Sequence, residues 1–431
     1  MTKLIQAVLV TVGVILCSVN FQSSANGESV LTSSFSTGGI YTDNLAFSQT
    51  GKKEVVGISL TPSIGFENIT ADTIFGLRYK GVGQIFPDSN GDNRFIQNVA
   101  SFLDVPWIRK NVDGLELRLI ANLTFTPSMD AFGEFDQTDA TELNPGVGGL
   151  TGTGTTGLNP GVSGVGGNVS GVPGVGNFGI QINRTNTLRS LAGATLRYPL
   201  TKKINFGGFY RNLNTVFLDQ DEVTPDSNIN TLEGSGTWQW WGSSTTTGNV
   251  RYALQPIISN ISDTIIQNQI TVGGTHLFTP SLVLDGRIGV NLIPEDPISA
   301  LANVSLSQQF EGGLLSLRYL QGVGLAQGFA DRATLTQVGT LLFSHALGER
   351  LNGYAQFSGA RNISLSGNKF DLLAFGAGAG LTMVFLDWLS GGVNYNFYRQ
   401  EKQGGTFGND GERTWVNFYL TAFADPFRVF K

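Results

Sequence analysis

Residues 115–125 read LELRLIANLTF, and this stretch decides the fold. Its apolar residues are interleaved with Glu116, Arg118, Asn122 and Thr124; they are Leu115, Leu117, Leu119, Ala121, Leu123 and Phe125. Successive side chains of an extended strand point to opposite sides, so one face would meet lipid and the other water. The segment predicts one strand of a membrane β-barrel.

The same period of two recurs along the chain. It returns in residues 75–80, 282–292 and 393–398. The chain has 57 Gly, 29 Phe and only 14% charged residues among 431, and its mean hydropathy is +0.03. This composition is too polar for a helical membrane protein and too rich in glycine for an ordinary enzyme. A large soluble β-sandwich or a solenoid is the alternative, but no fixed repeat of a solenoid is present.

The N-terminus has the features of a secretory signal peptide. Lys3 precedes the apolar stretch 4–16, and Ser23-Ser24-Ala25 supplies small residues for cleavage. Cleavage after Ala25 would remove Cys17, the single cysteine. A lipoprotein modified at Cys17 and an uncleaved anchor are the disfavoured alternatives. We expect residues 1–25 to be the signal peptide, 26–35 a short periplasmic segment, 36–425 the barrel and 426–431 a tail.

The connections alternate between short and long, as in a bacterial outer-membrane barrel. Eight short turns are predicted near residues 68–72, 111–114, 200–203, 242–247, 276–281, 311–313, 347–350 and 386–390. With nine longer loops between them, they predict an all-β, transmembrane, antiparallel up-and-down β-barrel of about 18 strands, within a range of 16 to 18. Both termini would then lie in the periplasm, and a barrel of this size leaves an aqueous lumen.

Aromatic residues near the predicted strand ends indicate the two membrane interfaces. The six tryptophans are Trp107, Trp238, Trp240, Trp241, Trp388 and Trp415, and chance placement is the alternative. Val416, Phe418, Leu420 and Ala422 share one face of the last strand, which resembles the terminal strand read by the outer-membrane assembly machinery. We therefore expect that machinery, outer-membrane lipids and lipopolysaccharide as partners.

The longest connection is residues 127–183, and its part 144–179 consists mainly of Gly, Val, Thr and Pro. Such a segment cannot form a compact core, so it is either a flexible outer loop, which we favour, or a constriction folded into the lumen. Acidic residues in 130–142 and 219–226 predict a negative outer rim. Weak binding of divalent cations there is the alternative to simple solvated charge.

Basic residues are concentrated on the predicted lumen face. They are Arg78, Lys80, Arg118, Arg189, Arg197, Arg251, Arg287 and Arg318, against the acids Glu67, Glu116, Asp285 and Asp371. Charges facing lipid would cost about 2–4 kcal/mol at the midplane, so inward placement is expected. Two interpretations remain open: the arginines set anion selectivity, or they pair with acids across the lumen and stiffen the wall.

Catalysis is poorly supported by the sequence. The only histidines, His276 and His345, fall at predicted turns or strand ends. Ser344 adjoins His345, but neighbouring residues of a strand face opposite sides and cannot form a nucleophile–base pair. We expect no enzyme activity, no cofactor, no metal and no nucleic-acid partner.

Two motifs near the N-terminus of the predicted barrel, Gly39-Ile-Tyr-Thr-Asp-Asn-Leu45 and Ser59-Leu-Thr-Pro-Ser-Ile64, resemble a family of bacterial outer-membrane barrels. Arg197-Tyr-Pro-Leu200 and Tyr210-Arg211 are similar too. The family is associated with exopolysaccharide and PEP-CTERM (exosortase) gene clusters. The long Gly-rich segment departs from its pattern. The resemblance implies export or passage of a surface polysaccharide, with periplasmic export components as partners, and it supplies no catalytic residue.

Three functions remain compatible with the sequence. An outer-membrane pore for a polysaccharide or anionic solutes leads, and a general diffusion porin follows. A structural or adhesive surface barrel plugged by residues 144–179 is third. The sequence does not determine the transported molecule or the oligomeric state.

Overall fold

The computed structural model describes residues 28–44, 52–70, 72–87, 93–106, 108, 112–126, 186–218, 226–240, 245–259, 264–294, 296–325, 333–365, 370–405, 410–425 and 427–430. The predicted signal peptide, the long connection 127–183, Trp107 and Trp241 lie outside these residues.

Within the described residues the chain forms eighteen long strands and one short strand in a single antiparallel sheet. The strands are β1 Glu28–Thr42, β2 Val55–Ile69, β3 Ile74–Ile85, β4 Arg94–Asp104, β5 Glu116–Thr126, β6 Thr187–Thr201, β7 Ile204–Phe217, β8 Ser227–Gln239, β9 Thr246–Ser259, β10 Ile265–Thr279, β11 Leu282–Leu292, β12 Ser299–Phe310, β13 Gly313–Leu325, β14 Ala333–Ala346, β15 Leu351–Ser364, β16 Phe370–Leu386, β17 Leu389–Gly405, β18 Gly411–Phe423 and β19 Phe427–Phe430. No helix in the described parts of the chain is long and apolar enough to cross a membrane.

The sheet closes on itself. Each strand pairs with the next along the chain, and β1 also pairs with β18, from Ser34 opposite Phe423 to Thr42 opposite Trp415. Closure satisfies the backbone groups of both terminal strands, which is a requirement inside a bilayer. The predicted eighteen-stranded up-and-down barrel is confirmed.

Eight connections lie at one end of the barrel, here called the turn end. They are residues 70–73, 105–115, 202–203, 240–245, 280–281, 311–312, 347–350 and 387–388, and each overlaps a predicted turn. The turn at 311–312 requires a glycine because Gly312 has φ +73°, in the left-handed region. The other nine connections between the long strands lie at the opposite end, here called the loop end. Length alone does not separate the two ends, because 105–115 at the turn end is longer than 260–264 at the loop end.

The barrel extends beyond the predicted boundaries at both chain ends. β1 begins at Glu28, so most of the predicted segment 26–35 belongs to a strand paired with β2. In the predicted tail 426–431, β19 pairs with β1 at the turn end, opposite Ser29–Leu31. The serine-rich start of β1 has little apolar alternation, so the sequence pattern does not indicate a strand there. The strand forms through backbone pairing with β2, which the sequence pattern does not show.

The outward face of the barrel is apolar and exposed. Leu232, Ile288 and Phe418 are 58%, 66% and 58% exposed, although they are large hydrophobic side chains. Exposed apolar residues recur on every second position of the strands, as a lipid-facing surface requires.

Tyrosine–amide pairs border this apolar surface on the loop side. Tyr210 donates to Asn230 Oδ1 at 3.1 Å, and Tyr252 donates to Asn268 Oδ1 at 2.8 Å. Tyrosines with an apolar ring and a polar tip prefer the membrane–water interface. Beyond them towards the loop end, charged pairs such as Arg361–Asp371 and Arg399–Glu401 lie on the outward face.

Exposed aromatic rings border the apolar surface on the turn side. Trp240, Phe278 and Trp388 lie there at or near the ends of strands. On β10 the two borders are marked by Asn268 and His276, which are eight residues apart. At about 3.4 Å per residue and a tilt of about 40°, they span about 21 Å, close to the apolar band of a membrane barrel.

Trp415 does not belong to either interface, contrary to the prediction. It points inward, is 2% exposed and packs edge-on against Phe86, with ring centroids 6.4 Å apart. The reason is the alternation of β18, in which Val416 and Phe418 occupy the outward positions.

Candidate functional site

All eight predicted basic residues occupy inward positions of the barrel wall. Arg251 illustrates the assignment, because its neighbours Val250 and Tyr252 are exposed on the outer surface. The same alternation and register place the other seven inward: Arg78, Lys80, Arg118, Arg189, Arg197, Arg287 and Arg318. Among the predicted acids, Asp371 is an exception. It shares the outward face of β16 with Leu373 and Phe375 and pairs with Arg361 at 2.6 Å.

Within the described residues, two of these arginines pair with carboxylates on the same wall. Arg251 Nη2 lies 2.7 Å from Glu233 Oε2, and the Glu233 side chain is only 5% exposed. Arg118 Nε lies 3.4 Å from Asp104 Oδ1, and its guanidinium lies over the Phe102 ring, 4.8 Å from the centroid. The pairing that would stiffen the wall is therefore present at two of the predicted residues.

Both pairs border one cavity of about 360 Å³. Its charged lining comprises Arg118, Arg197, Arg251 and Arg287 together with Asp104, Glu116, Glu233 and Asp285. Thr275 Oγ1 donates to Asp285 Oδ2 at 2.6 Å and orients that carboxylate. The cavity is lined by equal numbers of opposite charges, at the turn-end half of the barrel.

Beyond the cavity the balance is basic. Arg318 interacts electrostatically with Arg287, and Arg189 with Arg211. These groups and the cavity residues form the charged wall, defined as the inward side chains of β4–β13. Along this wall arginine outnumbers aspartate and glutamate within the described residues.

The sequence interpretation missed three inward arginines, Arg94, Arg211 and Arg413. Arg211 lies between Tyr210 and Asn212, so its neighbours give no apolar signal for the outward face. Arg94 directly follows a loop, and Arg413 is two residues from Trp415, which was assigned to the lipid interface. Extending the alternation from the middle of each strand would have identified them.

The opposite side of the lumen is uncharged over most of its height. This tyrosine wall comprises the inward side chains of β14–β18. In a ring of eighteen strands it lies diametrically opposite β5–β9. Within the described residues its only charges are Lys402 and Arg413, both near the loop end.

Three tyrosines lie along this wall, and Tyr398 of β17 is buried, with its hydroxyl donating to Gln400 Oε1 at 3.3 Å. The other two bridge strands. Tyr354 of β15 donates to Asn394 Oδ1 of β17 at 3.2 Å, and the Tyr419 hydroxyl of β18 lies 2.8 Å from Thr382 Oγ1 of β16. Each hydroxyl therefore reaches across an intervening strand. The wall presents phenol rings, amides and hydroxyls rather than charges.

Two apolar clusters lie on the inner surface near the loop end. Ile40, Val55, Phe86 and Trp415 form one buried cluster. Ile229 and Ile257 form another with Leu213 and Ile265 packed against them. The charged cavity therefore lies in the turn-end half of the lumen, and these apolar clusters lie near the loop end.

The histidines lie away from this site. His276 faces outward at the turn end, with Nδ1 2.8 Å from Thr246 Oγ1 and its ring against Phe278. His345 lies on the outward face of β14 beside Phe310 and Phe343, so Ser344 points to the other side. Neither histidine lines the charged cavity.

No protein-family model matches the sequence, and no curated protein matches it. Solved structures similar in fold include OpdQ of Pseudomonas aeruginosa, with 11% identity, a TM-score of 0.45, and coverage of 92% of this chain and 98% of that one. The outer membrane channel DcaP of Acinetobacter baumannii has 10% identity, a TM-score of 0.44, and coverage of 94% and 99%. An anion-selective porin from Comamonas acidovorans has 13% identity, a TM-score of 0.39, and coverage of 93% and 100%.

Proposed function

We propose that this protein is an outer-membrane pore whose basic lumen passes anionic solutes or a surface polysaccharide. The observation that carries the proposal is the charged wall inside a closed barrel of eighteen described long strands. An eight-stranded barrel is filled by its own side chains, whereas sixteen to eighteen strands enclose an aqueous channel.

The outer surface supports the location. Its apolar band and its tyrosine and tryptophan borders match a bilayer, and closed antiparallel barrels with such bands are the spanning structures of bacterial outer membranes. The neighbours of this surface would be outer-membrane lipids and lipopolysaccharide.

The excess of arginine supports an anionic solute. A low-dielectric wall lined by one sign of charge focuses the field and raises the local concentration of the opposite sign. Arg211, Arg287 and Arg318 would act in this way, because the acids on the wall are fewer. A saccharide bearing carboxylates is one solute with the required charge, and the sequence resemblance favours it over a small ion.

A general diffusion porin is the second candidate, and the cavity favours it. Arg251 with Glu233 and Arg118 with Asp104 neutralise one another there. Ion pairs of this kind would stiffen the wall and reduce its preference for anions.

Planar-bilayer recordings of the purified barrel test the pore itself. We expect stepwise conductance, and liposomes containing the barrel should swell in small solutes. A barrel that neither conducts nor permits swelling would refute the pore and would favour a structural role.

Deletion of the gene separates the two candidates. Loss of surface polysaccharide with normal nutrient uptake supports the export pore. Loss of uptake with normal polysaccharide supports the diffusion porin.

A further inference from the structure

Two of the three tyrosines of the tyrosine wall, Tyr354 and Tyr419, each cross a neighbouring strand. Tyr354 starts on β15 and its hydroxyl reaches Asn394 on β17, so its ring crosses β16. Tyr419 starts on β18 and its hydroxyl reaches Thr382 on β16, so its ring crosses β17. A ring that bridges two strands in this way cannot project into the lumen.

Glycines make these crossings possible. A Cβ at Gly380 would lie 2.4 Å from Tyr354 Cε1, and one at Gly392 would lie 2.7 Å from the Tyr419 hydroxyl. Each ring therefore packs against glycine backbone. Both tyrosines remain partly exposed, so the rings are accessible from the lumen.

The two phenol rings form one surface. Gly392 and Asn394 are neighbours on the inward face of β17, so the two crossings are adjacent. Gly380 pairs with Asn394, and Thr382 pairs with Gly392. The result is a double aromatic platform edged by an amide and a hydroxyl.

Further amides adjoin the platform with spare hydrogen-bonding capacity. Asn396 is 3% exposed, and neither its Nδ2 nor its Oδ1 has a hydrogen-bond partner within the described residues. Asn417 of β18 lies opposite Asn394, and its Oδ1 also has no hydrogen-bond partner within the described residues. Buried amides without partners are costly unless a ligand or water completes them.

We propose that this platform is a saccharide-binding site, on which sugar rings stack against Tyr354 and Tyr419 and sugar hydroxyls bond the adjacent amides. Flat aromatic faces beside a few fixed donors and acceptors suit the apolar face and hydroxyl edge of a pyranose ring. An inorganic anion has neither feature. The inference rests on the proposed pore, since it names the solute class for that lumen.

Calorimetry in detergent tests the site without requiring conduction. The probes are three hexasaccharides: maltohexaose, cellohexaose and hexagalacturonate. We expect at least one to bind, with an affinity about tenfold weaker in Tyr354→Ala/Tyr419→Ala. Tyr210→Ala/Tyr252→Ala removes two tyrosines from the lipid face and should leave the affinity unchanged.

A milder variant keeps the test valid if the alanine pair does not fold. Tyr354→Phe/Tyr419→Phe retains both rings, so binding should persist with an affinity lowered about threefold. Absence of binding by all three saccharides, or equal loss in the lipid-face control, would overturn the site. Binding by a barrel that does not conduct would refute the pore and support the saccharide site. Conduction by a barrel that binds none of the saccharides would support the pore and refute the saccharide site.

Discussion

The charged wall and the tyrosine wall are built from the same kind of strand but fill their inward positions differently. On β4–β13 those positions include eight arginines, of which two pair with carboxylates among the described residues, as in Arg251–Glu233. On β14–β18 they hold mainly hydroxyl residues, glycines, amides and tyrosines, as in Tyr354 over Gly380. The outward faces of both walls are similarly apolar. Lipid therefore constrains one face of every strand, and the inward face remains free to carry function.

Neutralising the charged wall should have the largest effect. In Arg251→Gln/Arg287→Gln/Arg318→Gln the potential of the wall falls, and we expect the permeability ratio of chloride to potassium to fall about tenfold. Reversal potentials in a salt gradient measure it. The matched control, Arg361→Gln/Arg399→Gln, removes arginines from the outer face; an equal change there would contradict a lumen effect.

Disturbing the tyrosine wall should affect stability more than selectivity. In Gly380→Ala the new Cβ meets Tyr354 and Asn394, so we expect a loss of about 1–2 kcal/mol in the free energy of unfolding. Urea unfolding in lipid vesicles would show it. Gly322→Ala is the control, since no atom lies within 4 Å of that Cβ position; similar losses in both variants would remove the argument for a packed ring.

Removing one carboxylate from the charged wall should have a smaller effect on anion preference. Glu233→Gln leaves Arg251 without its ionic partner, so the anion preference should rise about twofold. The measurement is again the reversal potential, with Asp371→Asn on the outer face for comparison. A fall in anion preference would show that Glu233 positions the arginines rather than offsetting them.

The smallest effect is expected outside both walls. Arg361 and Asp371 form an exposed pair, and such pairs contribute little to stability because water screens their charges. Arg361→Gln should lower the free energy of unfolding in vesicles by less than Gly380→Ala does. A change in conductance would place this pair at the pore, contrary to the register of β15 and β16.

The barrel was predictable because its signal is local. Alternation such as that of residues 115–125 is imposed by lipid on each strand separately, and turns are short enough to recognise. The inward position of all eight predicted basic residues follows from the same alternation. The alternation does not predict which lysines and arginines are paired, because partners such as Glu233 and Arg251 lie on different strands.

The tyrosine wall was not predicted for a related reason. Tyr354 and Asn394 are forty residues apart, and their contact depends on Gly380 lying between them in the sheet. The alternation of β18 was recognised from Val416 and Phe418, yet Trp415 was assigned by residue type and so placed on the wrong face. Residue type was a weaker guide than position.

The reversal potential of the unmodified barrel in a potassium chloride gradient tests the central claim most directly. An arginine-rich wall predicts a current carried mainly by chloride, with a preference that weakens as salt screens the wall. A current carried equally by both ions, or mainly by potassium, would contradict the assignment of the charged wall as the selectivity surface.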